Sequence, residues 1–368
     1  MANDKTIRLD TKNYRKLFLE DTAFFDVRAP VEFQKGSVPG AVNLPLMTDS
    51  EREAVGIAYK NEGQEAAVAL GNTLVQGARK TDLISKWAKF AASNPQGYLF
   101  CMRGGMRSQI SQRWMEEAGS PFPLVVGGYK ALRRFLIEES NRLIETTDFI
   151  VAAGRTGVGK TDFLGAIAHG LDLEGLAGHR GSSFGRRLAG QPTQINFENN
   201  LSVKLMKLTG GYSGPVYVED EGRRIGGLEI PKPLADKMSD APTIIIEEPF
   251  EERVALIHRD YVVGLRSEYD AAFGEDGAGK HGEFLQEALA RIKKRLGGAR
   301  YQDVSELMQH AIDQHQKTRS DDEHRAWIAH LLRDYYDPMY EYQLASRRRE
   351  ILFAGRRAEA IEWALVQG

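Results

Sequence analysis

Two short stretches of the chain carry residue types at a spacing that could do chemistry. The first is Cys101-Met102-Arg103-Gly104-Gly105-Met106-Arg107-Ser108. Cys101 is the chain's single cysteine, which excludes intramolecular disulfides and cysteine-based zinc sites. Two glycines allow a tight turn whose N–H groups face the sulfur, and a following helix start adds a positive end. Arg103 and Arg107 strengthen that field. Such a setting favours a thiolate and an anionic adduct on sulfur. A free cysteine is most often a small buried apolar residue, but two glycines and two arginines make a poor apolar pocket. The predicted catalytic set is Cys101, Arg103, Gly104, Gly105 and Arg107.

The second stretch, Gly154-Arg155-Thr156-Gly157-Val158-Gly159-Lys160-Thr161, satisfies G-x-x-x-x-G-K-[ST]. Its glycines let backbone N–H groups approach a diphosphate, Lys160 supplies a point charge, and Thr161 can bind Mg²⁺. Downstream, Val216-Tyr217-Val218 reads as a strand ending in acids, which offers Glu219 or Asp220 as a metal ligand or base. No adenine-recognition motif accompanies the loop, so nucleotide hydrolysis does not follow from Lys160. A third cluster, His179, Arg180, Ser182, Ser183, Phe184, Arg186 and Arg187, combines charge, an aromatic ring and flexible glycines. It suits RNA phosphates or a stacked base, and a solvated loop accounts for it equally well. The Arg347-Arg348-Arg349 run reads as a solvated helix face. The eight histidines show no metal-ligand spacing, so no zinc is expected.

These loops need elements to hold them. Gly97-Tyr98-Leu99-Phe100 reads as a strand entering the cysteine loop, and 108–119 as the helix leaving it, with Ile110, Trp114 and Ala118 on one face. Phe149-Ile150-Val151-Ala152-Ala153 reads as a buried strand before the phosphate loop. From Glu251 onward the pattern is helical. The expected organisation is an α/β domain over 1–140, a second α/β domain with a parallel sheet over 141–250, and a helical region over 251–368 packed on the second. With 368 residues, 42% hydrophobic and 27% charged, the chain has material for full cores. Net charge is −2, which excludes a globally basic nucleic-acid binder and leaves RNA contact to local clusters. The start, Met1-Ala2-Asn3-Asp4-Lys5, has no apolar run of a secretory signal, and no stretch is long and apolar enough for a membrane span. A cytoplasmic protein is expected.

Several segments carry a family resemblance. Asp26-Val27-Arg28, Glu32-Phe33 and Gly36-Ser37-Val38-Pro39-Gly40-Ala41-Val42-Asn43-Leu44-Pro45 resemble the N-terminal signature of rhodanese domains. Leu124-Val125-Val126-Gly127-Gly128-Tyr129 resembles the segment after their catalytic helix. Rhodanese loops place four residues between Cys and the Arg-Ser pair; this loop has five, and it resembles the C-x5-R cradle of Cys-dependent phosphatases. The longer cradle suits a selenium atom or a phosphate-bearing donor. A rhodanese-like domain followed by a P-loop domain is similar to the bacterial tRNA 2-selenouridine synthases. Glu51–Gly56 with Tyr59-Lys60, Leu173–Ala177 with His179-Arg180-Gly181, Gln194–Glu198, and Glu219–Glu221 before Ile225-Gly226 share that likeness.

The resemblance implies replacement of sulfur by selenium at C2 of a wobble 2-thiouridine in tRNA. It implies selenophosphate as donor, supplied by a separate enzyme, and geranyl diphosphate as the source of an S-geranylated intermediate. Two other classes stay open: a sulfurtransferase with a regulatory nucleotide domain, and an RNA-binding module in which both loops are silent. A phosphatase is more distant, since only C-x5-R supports it.

Overall fold

The computed structural model describes residues 8–346 and 349–367, so Arg347 and Arg348 of the basic run lie outside the described residues. The chain forms two units: Met1–Arg142 with Thr193–Lys207, and Leu143–Pro192 with Leu208–Gly368.

In the first unit, strands β1 (Phe24–Asp26), β2 (Ala41–Asn43) and β3 (Tyr98–Phe100) form a parallel sheet of order β2-β1-β3. Both Phe24 and Phe25 of β1 are buried, as a central parallel strand covered on both faces requires. Phe25 stacks on Trp87 and Phe122, with ring centroids 6.1 and 5.5 Å away. That aromatic layer lies in the same core as Leu99 and Cys101. The sheet thus delivers the chain from buried Phe100 into the cysteine loop, and the helix Met106–Glu117 carries it away.

Residues 193–207 fold with this first unit rather than with the chain around them. Asn199 is fully buried there; its Nδ2 donates to the Ser37 carbonyl at 2.6 Å and its Oδ1 accepts from Arg133 at 2.6 Å. The Ser37 N–H in turn donates to Asn196 Oδ1 at 2.8 Å. Nothing local in the Gln194–Glu198 segment announces this exchange, because its partners Ser37 and Arg133 lie more than 60 residues away.

The second unit is built on β4 (Phe149–Ala153), β5 (Gly170–Leu171), β6 (Val216–Glu219), the short antiparallel pair β7 (Arg224–Ile225) and β8 (Leu228–Glu229), β9 (Thr243–Glu247) and β10 (Ile351–Arg356). Its main sheet is parallel throughout, in the order β10-β9-β4-β6-β5. All five residues of β4 are buried, so the loop after it leaves the middle of the sheet, where α/β folds place ligands. The region after Glu251 is helical, with a core that includes Leu285, Leu289, Met308 and Trp327. It also returns one strand that periodicity did not reveal. β10 sits at the sheet edge and exposes half or more of its residues, so it lacks the continuous apolar run of a buried parallel strand. Among the described residues no helix is long and apolar enough to cross a membrane.

Candidate functional sites

Cys101 sits at the end of β3 and is 3% exposed. Its Sγ lies 3.2 Å from Ser108 Oγ and 3.9 Å from the Gly105 carbonyl, and Ser108 Oγ donates to that same carbonyl at 2.9 Å. The loop is held from behind by a second glycine turn. The Tyr129 N–H donates to the Cys101 carbonyl and the Lys130 N–H to the Met102 carbonyl, both at 2.9 Å. Such close approach demands glycine. Gly104 and Gly128 have φ of +65° and +58°, and a Cβ on Gly128 would stand 2.2 Å from the Cys101 carbonyl oxygen. Gly128→Ala is therefore expected to cost about 1–3 kcal/mol of unfolding free energy, read as a lower urea midpoint.

The two loop arginines differ. Arg107 is bound to Glu32 by two contacts of 2.5 and 3.1 Å. Burial alone would raise the Glu32 pKa, but the bonded guanidinium outweighs it and holds the carboxyl below its usual value. Burial likewise works against the Arg107 charge, and Glu32, with a smaller share from Cys101, more than restores it. Arg107 is thus a permanent cation already half spent on Glu32. Arg103 is exposed and pairs with no described residue, so it is the cation available to an anion arriving on sulfur.

Beneath the loop lies a cation outside the predicted catalytic set. Arg28 is 1% exposed, donates to Asp26 at 2.6 Å and to the Gly36 carbonyl at 2.9 Å, and stacks 3.9 Å over the Tyr129 ring. Asp26, Arg28 and Glu32 were visible in the sequence only as members of a family signature, since no local spacing shows that a buried ion pair supports the loop.

In the second unit the motif glycines Gly154, Gly157 and Gly159 all have positive φ, at +154°, +86° and +79°. A Cβ on Gly154 would meet the Ile246 carbonyl at 2.4 Å. The Lys160 ammonium donates to the Gly154 carbonyl at 3.1 Å, which curls the loop over its own lysine. Arg253, 2% exposed, donates to the Thr156 carbonyl at 2.9 Å and is paired with Asp337. Val158 is buried, while Arg155 is exposed and bonds Glu341 at 2.7 Å. Thr161 is exposed one residue into the helix Lys160–Ala166. A cavity of about 410 Å³ opens beside the loop, with Lys160, Arg180 and Arg259 as its cations.

Glu219 ends β6, and Asp220, which follows it, lines this cavity. Glu219 is 1% exposed, and its Oε2 accepts from the N–H groups of Leu173 at 2.8 Å and Glu174 at 3.4 Å. Burial, then Asp172 and Glu174, push its pKa far above the carboxyl range. Its Oε2 thus holds the start of the helix Leu173–Ala177. Asp220 accepts from Arg349 at 2.8 Å. Among the described residues no three His, Cys, Asp or Glu side chains assemble a metal site.

Glu174 is raised to about 8, by burial first and Glu221 next. Between the ordinary carboxyl range and that value the unfolded chain has lost this proton and the folded protein keeps it. Stability therefore falls as pH rises through this window. Glu174→Gln is expected to flatten the decline in Tm between about pH 5 and about pH 8.

The third cluster divides. Phe184 is 4% exposed and stacks on Trp327 at 5.6 Å, so this ring belongs to the core and is not available to a base. Ser183 Oγ is bonded to the Ala288 carbonyl at 2.7 Å, and Ser182 Oγ lies 3.3 Å from the Tyr261 hydroxyl. Arg180 faces Asp260 at 3.5 Å and Arg187 faces Glu268 at 4.0 Å. Burial, followed by Arg186 and Arg291, disfavours the charged form of His179. Arg186 remains exposed.

Residues 10–134 match the model of the rhodanese-like domain, and residues 147–367 that of the tRNA 2-selenouridine synthase AAA domain. The chain is 50% identical over 358 residues to the tRNA 2-selenouridine synthase of Marinobacter nauticus (strain ATCC 700491 / DSM 11845 / VT8), covering 97% of this chain and 98% of that one. It is 48% identical over 359 residues to the protein of the same name from Bordetella bronchiseptica (strain ATCC BAA-588 / NCTC 13252 / RB50), again covering 97% and 98%. Pseudomonas paraeruginosa (strain DSM 24068 / PA7) has another so named, 48% identical with 97% of both chains covered. With a thiol loop and a phosphate loop in the order of both matched domains, and half its residues shared with such a relative, the chain belongs to the tRNA 2-selenouridine synthase family.

Proposed function

We propose that the protein replaces the C2 sulfur of a wobble 2-thiouridine in tRNA by selenium, with selenophosphate as donor and an S-geranylated uridine as intermediate. The observation that carries this reading is the pairing, on one chain, of a thiol in a glycine-built loop with a separate phosphate loop built on positive-φ glycines. A thiocarbonyl sulfur leaves poorly, whereas an alkylated one departs as a thiol. In the first step the uridine sulfur attacks C1 of geranyl diphosphate, the C–O bond breaks, diphosphate leaves and the uridine gives up its N3 proton. Lys160 and the amides of residues 154–161 would hold the diphosphate and the charge that develops on it. Mg²⁺ would take the exposed Thr161 hydroxyl and phosphate oxygens as ligands and neutralise the diphosphate.

In the second step the Cys101 thiolate attacks the phosphorus of selenophosphate and the P–Se bond breaks, giving a phosphocysteine and selenide, and the selenide attacks C2 and expels geranylthiol. Arg103 and the loop amides would stabilise the anion on sulfur. Water then hydrolyses the phosphocysteine to phosphate and returns Cys101 to its free form, so the second thiol that the chain lacks is not needed. Selenophosphate would come from a separate enzyme, the exposed Arg186 would meet tRNA phosphate, and both belong in the cytoplasm.

The test is mass spectrometry of nucleosides from a 2-thiouridine tRNA incubated with the protein and geranyl diphosphate, selenophosphate or both. An S-geranyl nucleoside in the first sample and 2-selenouridine in the last are expected. No change in any sample, with a stable persulfide formed from thiosulfate, would instead favour a sulfurtransferase.

A further inference from the structure

The first unit contains a groove of about 640 Å³ that the chemistry above leaves unused. It lies between the helices Asp49–Glu62, Gln64–Leu74 and Met106–Glu117. Val55, Val68, Ile110 and Trp114 line it, and the buried Ala67 and Val75 contribute to its wall. At its edge Ile57, Tyr59 and Met106 are 55, 60 and 38% exposed. Large apolar side chains left in water around a concavity of this size mark a binding site more often than a packing accident.

The groove is joined to the cysteine loop. Met106 and Arg107 line it and immediately precede Ser108, whose Oγ is 3.2 Å from Cys101 Sγ. Glu32 binds Arg107 and also faces Arg52, another lining residue, at 3.9 Å. The apolar trough therefore carries the cations Arg52, Lys60 and Arg107 against Glu53 in its lining and Glu32 behind the two arginines. Its chemistry fits a hydrocarbon chain attached to an anionic group, with the attachment point near the thiol.

We propose that this groove binds the prenyl chain carried on the sulfur of the substrate uridine during the selenium step, with the neighbouring RNA phosphates facing its cations. The proposal rests on the S-geranyl intermediate of the preceding section. It adds that the chain is a handle: burying it brings C2 to Cys101 and selects the alkylated uridine over the plain thiouridine, since hydrocarbon removed from water supplies affinity. It also gives the departing geranylthiol a place to go.

The test compares binding of two anticodon stem-loops, one with 2-thiouridine and one with its S-geranyl form, to the full chain by fluorescence anisotropy. The geranylated RNA is expected to bind at least about tenfold more tightly. Val68→Trp, which fills the groove, and Ile57→Glu, at an exposed position where folding is not at stake, should each remove that advantage and leave thiouridine RNA binding unchanged. Conversion of pre-geranylated RNA to 2-selenouridine should fall in parallel. An advantage that survives in both variants, or that is absent in the native protein, overturns the groove assignment. So does equal weakening of both RNAs, which would mark a general RNA-facing surface. The intermediate itself is judged separately: no S-geranyl nucleoside from geranyl diphosphate and native protein overturns the two-step reading, whatever the variants bind.

Discussion

Cys101→Ser is expected to reduce 2-selenouridine formation by about 10³-fold or more, while S-geranylation stays within about twofold of the native rate. The substitution changes one atom at a site that is 3% exposed, and a serine hydroxyl can keep both polar contacts of the sulfur, to Ser108 and to the Gly105 carbonyl. The loop's architecture rests on backbone bonds from Tyr129 and Lys130, which the change does not touch. What is lost is the thiolate nucleophile that opens selenophosphate, and a serine hydroxyl does not replace it. In the two-step scheme the S-geranyl nucleoside should therefore accumulate when both co-substrates are present. If the variant selenates at the native rate, selenium reaches C2 without Cys101 and the cysteine is a packing residue. If geranylation falls as well, the two loops are not independent.

The parts of both loops that were legible in the sequence are those fixed by local sterics. Gly104, Gly154, Gly157 and Gly159 occupy positive φ, and a Gly-rich spacing around Cys or before Lys-Thr is the direct signature of that need. The buried β4 was equally plain, because a central parallel strand must be apolar on both faces. What was not legible depended on partners far along the chain. Phe184 read as a ring that could stack a base, yet Trp327 stacks on it from 143 residues away. Glu219 was legible as an acid at a strand end, but its bonds to the N–H groups of Leu173 and Glu174 were not. Arg28 and Glu32 gave no local hint of supporting the cysteine loop, since their roles exist only once β1 and β3 pair. The edge strand β10 was hidden for the opposite reason: it is too exposed to need a pattern.

Lys160→Ala is expected to lower geranylation by about 10²–10³-fold, the loss that follows removal of one charged donor from a developing anion. The Lys160 ammonium spends one of its three donors on the Gly154 carbonyl. The other two remain for a diphosphate. Alanine keeps the helix start and removes the charge, so the loss should fall on kcat with geranyl diphosphate as well as on its KM. Lys160→Arg should rescue little, because a planar guanidinium cannot replace a compact ammonium inside a loop this tight. The decisive arm uses tRNA that already carries the S-geranyl group. There Lys160→Ala should make 2-selenouridine at close to the native rate, because Cys101 belongs to the other unit. Unchanged geranylation would falsify diphosphate binding by this loop. Failure on the pre-geranylated RNA would instead make Lys160 part of the selenium step or of RNA binding, and the assignment of one step to each loop would have to be abandoned.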